Sequence, residues 1–398
     1  MSNRTNADSD RLRGYKVEIY PSDDQKEIIH RSLDISRAVY NMALEMQIAN
    51  YNSKESFFIT YNEMCKKVSY LRNNDPDYTW LNGCSIGTIR ETLIDADTAF
   101  TKFFSNQNRF PRFKSKKRSK KTFGVRSDRC EARGKNIYIS GIGLVDAKSH
   151  IIPQYTRLRK TRITFDGYDR YYFSCTIERD VIDINIAHPE PIGIDVGIRN
   201  MITTSDGDIY KLSDTSKLNK RLNRLKRRAQ KHYNYYISES KRMRTKYEDV
   251  PKSKNMQKIN HRIFKTHRRI TNKKLNDIHY ATKQIVDKNP SSIVIEDLSL
   301  SRMRQTIWIR PYLPQVVFRE IHRQLEYKAA DRGIPVIKVP KDYPSSQICS
   351  RCGSIRKTHS SVYICKHCGL RIDRDINAAY NLRNFGADIV NSTYEIIA

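Results

Sequence analysis

Apolar positions set up three textures along the chain. From Tyr15 to Tyr20 they fall on every second residue, which predicts a strand ended by Pro21. Ser22 and Gln25 have the spacing of a helix capping box. Ile28, Ile29, Leu33, Val39, Ala43 and Met46 then recur at roughly helical intervals. Ile86, Ile89, Leu93, Ala96, Ala99 and Phe103 do the same between about Ser85 and Phe104. Residues 22–106 therefore read as a small helical unit inserted after one strand. Strand-like runs resume at Asn136 to Ile142, Arg162 to Phe165 and Tyr171 to Ile177. Together with the first strand they predict a small β-barrel or sheet over 1–21 and 107–187.

A second texture begins at Pro191. Ile192-Gly193-Ile194-Asp195-Val196-Gly197 predicts a buried strand ending in a tight turn. Met201 to Thr204 and Asp208 to Leu212, joined through Ser205-Asp206-Gly207, read as a hairpin. Leu218, Leu222 and Leu225 form the apolar stripe of a long basic helix, from which Arg221, Arg224 and Arg228 point away. Pro251 separates it from a second basic helix running to about Val286. Ile293 to Glu296 is another buried strand; a helix from about Pro314 to Arg332 and a strand Val336 to Val339 follow. A final helix starts near Asp375. Three strands, helix, strand, helix, strand, helix is the order of the RNase-H-like fold, here with an insertion before the last helix. The predicted class is α+β multidomain: an RNase-H-like α/β domain over 188–344 and 371–398, a basic helical insertion at about 214–288, and a cysteine-rich insertion at 345–370.

Charge sharpens the picture. The 398 residues carry 73 Lys and Arg against 43 Asp and Glu, a formal net charge of +30. Such an excess repels itself unless a polyanion is present, so the expected partner is nucleic acid. Mean hydropathy is −0.70, and no apolar run approaches membrane-spanning length. The stretch Met1 to Arg13 lacks the apolar core of a secretory signal. A secreted disulfide scaffold, a membrane protein and a wholly disordered chain are thereby disfavoured. Of eight cysteines, Cys65, Cys84, Cys130 and Cys175 are scattered, whereas Cys349, Cys352, Cys365 and Cys368 form two CxxC pairs. Four thiolates at this spacing are the donor set of one closed, structural Zn²⁺ site, with Gly353 and Gly369 permitting the knuckle turns. His359 and His367 stand nearby but are superfluous to that count.

Three carboxylates occupy informative places. Asp195 and Glu296 each terminate an apolar strand, and Asp375 begins the last helix. A carboxylate at the end of a buried strand is costly unless its charge is compensated. Converging carboxylates call for hard divalent cations, Mg²⁺ or Mn²⁺. Two such ions about 4 Å apart hydrolyse phosphodiesters. Asp373 competes for the third position, but two residues along a helix rotate a side chain by about 200°. Asp373 is therefore read as the helix cap, and Arg374 as a phosphate contact. The segment from Arg109 to Lys121 interleaves cations (Arg109, Arg112, Lys114) with Phe110 and Phe113, a pattern that neutralises phosphates and stacks on bases.

These motifs together resemble TnpB, the RuvC-type nuclease family encoded by insertion sequences and related to type V CRISPR effectors and Fanzor proteins. The resemblance rests on Gly193-Ile194-Asp195-Val196-Gly197, Val294-Ile295-Glu296-Asp297-Leu298 and Pro344-Ser345-Ser346-Gln347 running into the cysteines. It rests also on Asp373-Arg374-Asp375-Ile376-Asn377-Ala378-Ala379, with Arg37-Ala38-Val39-Tyr40-Asn41 and Phe110-Pro111-Arg112-Phe113-Lys114 upstream. It implies an RNA-guided DNA endonuclease that binds RNA from a transposon end and cuts both strands of double-stranded DNA beside a short adjacent motif. It also implies that Asp195, Glu296 and Asp375 are the catalytic, Mg²⁺-binding triad. The sheet becomes a wedge-like domain and the helical unit a REC-like one. Tyr51 and Arg90 fall at about the family's motif-reading positions. An RNA-bound monomer in the nucleoid-associated cytoplasm of a prokaryote is the expected setting, with a nuclear or viral one left open. Two other readings stand beside this one: a DNA-strand transferase using the same carboxylates, and a non-catalytic RNA-guided DNA-binding regulator.

Overall fold

The computed structural model describes residues 12–53, 59–147, 152–153, 156–178, 190–197, 199–245, 250–297, 315–340, 342–358 and 360–397. The chain divides into two compact units, Met1–Asp180 and Val181–Ala398. No helix among the described residues is long and apolar enough to cross a membrane.

In the first unit, strand β1 (Leu12–Tyr20) leads into helix α1 (Asp23–Ser53), followed by α2 (Tyr61–Asn74) and α3 (Ile86–Phe104). Six strands follow: β2 (Thr122–Gly124), β3 (Glu131–Arg133), β4 (Asn136–Ile139), β5 (Gly143–Ala147), β6 (Leu158–Phe165) and β7 (Tyr171–Glu178). They form one antiparallel sheet with β1 in the order β2-β6-β7-β1-β5-β4-β3. No pairing among the described residues closes the edges β2 and β3 into a barrel. Phe123 of β2 and Ala132 of β3 nevertheless share one core cluster with Val17, Ile19, Ile137 and Phe173, so the sheet curls around its apolar face.

Ser22 and Gln25 cap α1 reciprocally, at 3.3 and 3.0 Å. Helix α2 leaves little periodic trace in the sequence, because few of its residues are deeply buried (Met64 and Val68) and the apolar stripe is thin. Its start signal was nonetheless present: Thr60 and Glu63 exchange capping bonds of 3.3 and 2.8 Å. The run Asn136 to Ile142 is one strand and a turn rather than one long strand. Gly141 and Gly143 adopt φ of 81° and 97°, turning the chain back into β5. Strand β6 begins before Arg162 because an irregularity between Arg159 and Arg162 shifts the alternation and hides Leu158 among charges.

The second unit is built on β8 (Ile192–Asp195), β9 (Ile202–Thr204), β10 (Ile209–Tyr210), β11 (Ile293–Glu296) and β12 (Val336–Val339), in the order β10-β9-β8-β11-β12. Strands β8, β11 and β12 are parallel; β9 and β10 continue antiparallel. Helices α4 (Ser216–Arg242) and α5 (Lys254–Asp287) separate β10 from β11, and α6 (Gln315–Ala330) joins β11 to β12. A short hairpin, β13 (Val362–Ile364) with β14 (Arg371–Asp373), precedes the last helix, α7 (Arg374–Ile397). Ile192, Ile194, Ile293 and Ile295 pack on α5 and α6 through Ile278, Ile285, Ile321 and Leu325. The opposite sheet face receives α7, with Leu382 against Val294 and Val339.

The fit of α7 against β8 depends on Gly193. A Cβ there would stand 2.0 Å from the Ala379 carbonyl oxygen and 2.5 Å from the Arg383 nitrogen, both backbone atoms. Gly14 in β1 has nothing within 4 Å of the same position. Gly193→Ala is expected to destabilise the second unit by about 3 kcal/mol, as overpacking against backbone does. Gly14→Ala is expected to change stability far less; chemical denaturation of the two variants checks the contrast.

Candidate functional site

The parallel register aligns Ile192 with Ile293 and Ile194 with Ile295. Asp195 and Glu296 therefore end adjacent strands side by side at their C-terminal edge, where open α/β sheets bind ligands. Asp375 comes to the same place from α7. The Asp373 carboxylate accepts the Asp375 and Ile376 amides at 2.9 and 3.3 Å, capping the helix. Asp375 is thus in the first turn, where Asn200 donates to its Oδ2 at 3.2 Å and Arg374 approaches its Oδ1 at 3.5 Å. The Ser345 hydroxyl donates to Oε1 of Glu296 in a very short contact.

Electrostatics register this convergence. Asp195 keeps some surface, yet the protein around it desolvates its carboxyl and pushes it well above the ordinary aspartate range. Repulsion from Glu296, Asp375 and Asp373 adds to that shift, and Arg374 opposes it. Burial also raises Glu296, against the lowering effect of the Ser345 hydrogen bond. Three carboxylates from distant segments act on one point, opposed chiefly by one arginine: the donor set fits hard divalent cations. Among the described residues, however, the group of three or more His, Cys, Asp or Glu side chains already gathered closely enough to hold a metal ion is the cysteine set, whose ligand atoms all lie within 4.8 Å of one another.

That set is compact. The Cys349 and Cys368 sulfurs are 3.5 Å apart, and those of Cys352 and Cys365 are 3.6 Å apart. Four thiolates around one zinc stand about 3.8 Å apart, given Zn–S distances of about 2.3 Å. The amides of Gly353 and Gly369 close the two knuckles onto the Cys349 and Cys365 carbonyls, with φ of 74° and 70°. Hydrogen bonds, first that with the Ser354 hydroxyl, draw Cys352 down to about 5 and Cys365 to about 7, whereas Cys368, against the lowering effect of a Leu370 backbone hydrogen bond, is pushed up to about 12 by desolvation and the other three sulfurs. Cys352 and Cys365 are the thiols most readily available to a metal. These four residues could hold a zinc ion. His367 is exposed, and His359 lies outside the described residues.

The basic segment is anchored by a motif far away in sequence. Asn41 brackets the Lys114 backbone with hydrogen bonds of 2.9 and 2.7 Å, and the Lys114 ammonium sits 3.5 Å from the centre of the Tyr40 ring. Arg37, Lys114, Lys116, Lys120 and Lys121 line a cavity of about 220 Å³ with Asp34 and Asp95. Asp95 is engaged by a two-pronged Arg162 contact at 2.8 and 2.7 Å, and Asp34 by Lys116 at 2.9 Å. The cavity thus keeps a surplus of positive charge. Phe113 is exposed, as are Arg109 and Arg112; Phe110, also exposed, lies edge-on to Phe103 at 5.2 Å and to Phe100 at 5.9 Å. Arg90 is exposed on α3. Arg221, Arg224 and Arg228 are exposed along α4, whereas Leu222 and Leu225 are buried. Tyr51 belongs to the last turn of α1, its side chain outside the described residues. Asn200 and Asn381 had no signal as site residues in the sequence; Ser345 and Asn377 did, as parts of the Pro344–Gln347 and Asp373–Ala379 runs.

Comparison with known proteins adds two family models. One, the Cas12f1-like TNB domain, matches residues 318–382 and takes in the cysteines and Asp375. The other, a helix-turn-helix domain of the OrfB/IS605 type, matches residues 9–56. In this chain the described part of that stretch is β1 and the uninterrupted 31-residue helix α1. A putative RNA-guided DNA endonuclease of Streptomyces pristinaespiralis is 26% identical, covering 93% of this chain and 88% of its own. The putative RNA-guided DNA endonuclease InsQ of Escherichia coli K12 is also 26% identical, over 94% of this chain and 92% of its own. Among solved structures, the protein of a Cas12f1–sgRNA–target DNA complex superposes with a TM-score of 0.53 at 13% identity, covering 94% of this chain and 98% of that one. That superposition speaks to the fold alone.

The protein as purified is expected to carry about one zinc per chain. Cys365→Ser is expected to remove most of it, which elemental analysis checks. Zinc content unchanged by that substitution would contradict a four-thiolate site.

Proposed function

We propose that this chain, TnpB-like in its motifs and its relatives, is the RNA-guided DNA endonuclease of a transposable element. It uses RNA transcribed from the transposon end to select double-stranded DNA beside a short adjacent motif. We assign residues 188–344 and 371–398 to a RuvC, RNase-H-like nuclease domain and 345–370 to a zinc ribbon. A wedge-like domain takes 1–21 and 107–187, and a REC-like domain 22–106.

The observation that carries this reading is the electrostatic load on Asp195 from Glu296 and Asp375, residues about 100 and 180 positions further along the chain. Asp195, Glu296 and Asp375 would hold two Mg²⁺ or Mn²⁺ ions, which when bound activate water and stabilise the leaving oxygen of a phosphodiester. The chain's own part is to fix the three carboxylates before substrate arrives. Gly193 lets α7 close on β8, the Asp373 cap sets the first turn of α7, and Asn200 and Ser345 each hold one carboxylate oxygen. Arg374 supplies a cation where scissile phosphate charge would lie.

Guide pairing reads the target sequence, so the protein needs basic surfaces along phosphate backbones rather than many base-reading side chains. The Lys114–Lys121 cavity, the exposed Phe113 and the arginines of α4 suit that task.

Asp195→Ala is expected to lower cleavage of a guide-matched duplex by at least about 10³-fold, roughly 4 kcal/mol of transition-state stabilisation, with RNA and target binding unchanged. Cleavage at the parental rate would overturn the nuclease assignment. Joining of a 3′ end to target DNA instead of hydrolysis would favour the strand-transferase reading. Replacing Lys120 and Lys121 by alanine is expected to reduce the salt dependence of nucleic-acid binding by about 0.7–0.9 per lost phosphate contact. Filter binding over a range of KCl concentrations measures this slope.

A further inference from the structure

The root of the cysteine ribbon is built into the carboxylate cluster. Ser345 is buried, 3% exposed, four residues before Cys349. Its hydroxyl donates to Glu296, while its carbonyl accepts the Asn381 side-chain amide at 2.7 Å. Asn381 donates as well to the Ile348 carbonyl at 2.7 Å, and Asn377 donates to that same carbonyl at 2.6 Å. Asn377 then accepts the Ser350 amide at 3.0 Å. Both asparagines are buried on α7, two and six residues beyond Asp375. The turn between them is closed by the Gln347 amide on the Pro344 carbonyl at 2.8 Å and leads directly into the first knuckle.

Two buried asparagines satisfying one turn are a demanding arrangement, since each unmade bond would cost the desolvation of its group. α7 is thereby fastened to the ribbon root, and the ribbon root to Glu296. We propose that Ser345 is a positioning residue for Glu296. Its hydroxyl ties up Oε1 and so aims the remaining lone pairs at the cation site, and Asn381 and the cysteine knuckle hold the serine in register. Hydrogen bonds of this kind to metal-binding carboxylates typically alter metal affinity by about 10–100-fold. The inference rests on the nuclease reading above, through Glu296 as a cation ligand.

The test is Mn²⁺ binding to the full-length, RNA-bound protein, followed by electron paramagnetic resonance and free of any cleavage readout. It compares the parent chain, Asp195→Ala, Ser345→Ala and Ser345→Thr. Ser345→Ala is expected to weaken Mn²⁺ binding about tenfold with zinc content and melting temperature unchanged. Ser345→Thr, which keeps the hydroxyl, is expected to restore parental affinity. Parental Mn²⁺ affinity in Ser345→Ala would overturn the proposal. Loss of zinc or of folding in that variant would overturn it too, because the hydroxyl would then be a fold element. Asp195→Ala separates the two levels: if it binds Mn²⁺ like the parent, the carboxylate site itself is wrong. If it alone loses Mn²⁺, only the role of Ser345 fails.

Discussion

Like charges brought together in a poorly solvated place must be held there by something stronger than their repulsion. Asp195, Glu296 and Asp375 act on one point at the edge of a parallel sheet, and desolvation and mutual repulsion drive Asp195 away from its ionised form. Much of the second unit's architecture serves to hold that arrangement. Parallel pairing of β8 and β11 sets two carboxylates side by side. The absence of a side chain at Gly193 lets α7 approach closely enough to deliver the third. The cost is borne by burial elsewhere: Ile192, Ile194, Ile293 and Ile295 are all fully buried beneath α5 and α6.

The ribbon belongs to the same construction. β14 ends at Asp373, the cap of α7, and the Arg374 amide bonds to the Ser361 carbonyl at 2.9 Å. Its other end, through Ser345 and the paired asparagines, reaches Glu296. A cysteine cluster with no open ligand position contributes nothing chemical to phosphodiester hydrolysis. Its value in the proposed enzyme is mechanical, bracing the helix and the hydroxyl that steady two of the three carboxylates. The first unit carries a different burden. Arg37 of α1 and Lys114, Lys116, Lys120 and Lys121 of the segment between α3 and β2 surround a cavity whose two carboxylates are already engaged, which suits a polyanion whose sequence is read by base pairing.

Much of this was legible in the residues. Short buried strands read directly where one apolar run ends in one acidic side chain, as at Ile192–Asp195 and Ile293–Glu296. The Asp373 cap followed from the geometry of a helical turn. The cysteine spacing declared itself, and the stripe of Leu222 and Leu225 separated the buried from the basic face of α4. What stayed hidden was tertiary. Nothing local marks Asn200 or Asn381, and the run Asp373–Ala379 does not reveal what Asn377 holds, because each acts through partners 27 to 175 residues away. The start of strand β6 is masked because an irregularity breaks its alternation, and α2 is faint because its buried stripe is thin. Within the helix-turn-helix match at residues 9–56, the described residues 12–53 form a strand and one long helix.

The most direct measurement is anomalous X-ray scattering from crystals of the RNA-bound protein soaked in Mn²⁺. The account predicts two peaks about 3.5–4 Å apart, both ligated by carboxylate oxygens of Asp195, Glu296 and Asp375. Peaks confined to other acidic residues, or carboxylates that stay apart with Mn²⁺ in excess, would contradict it.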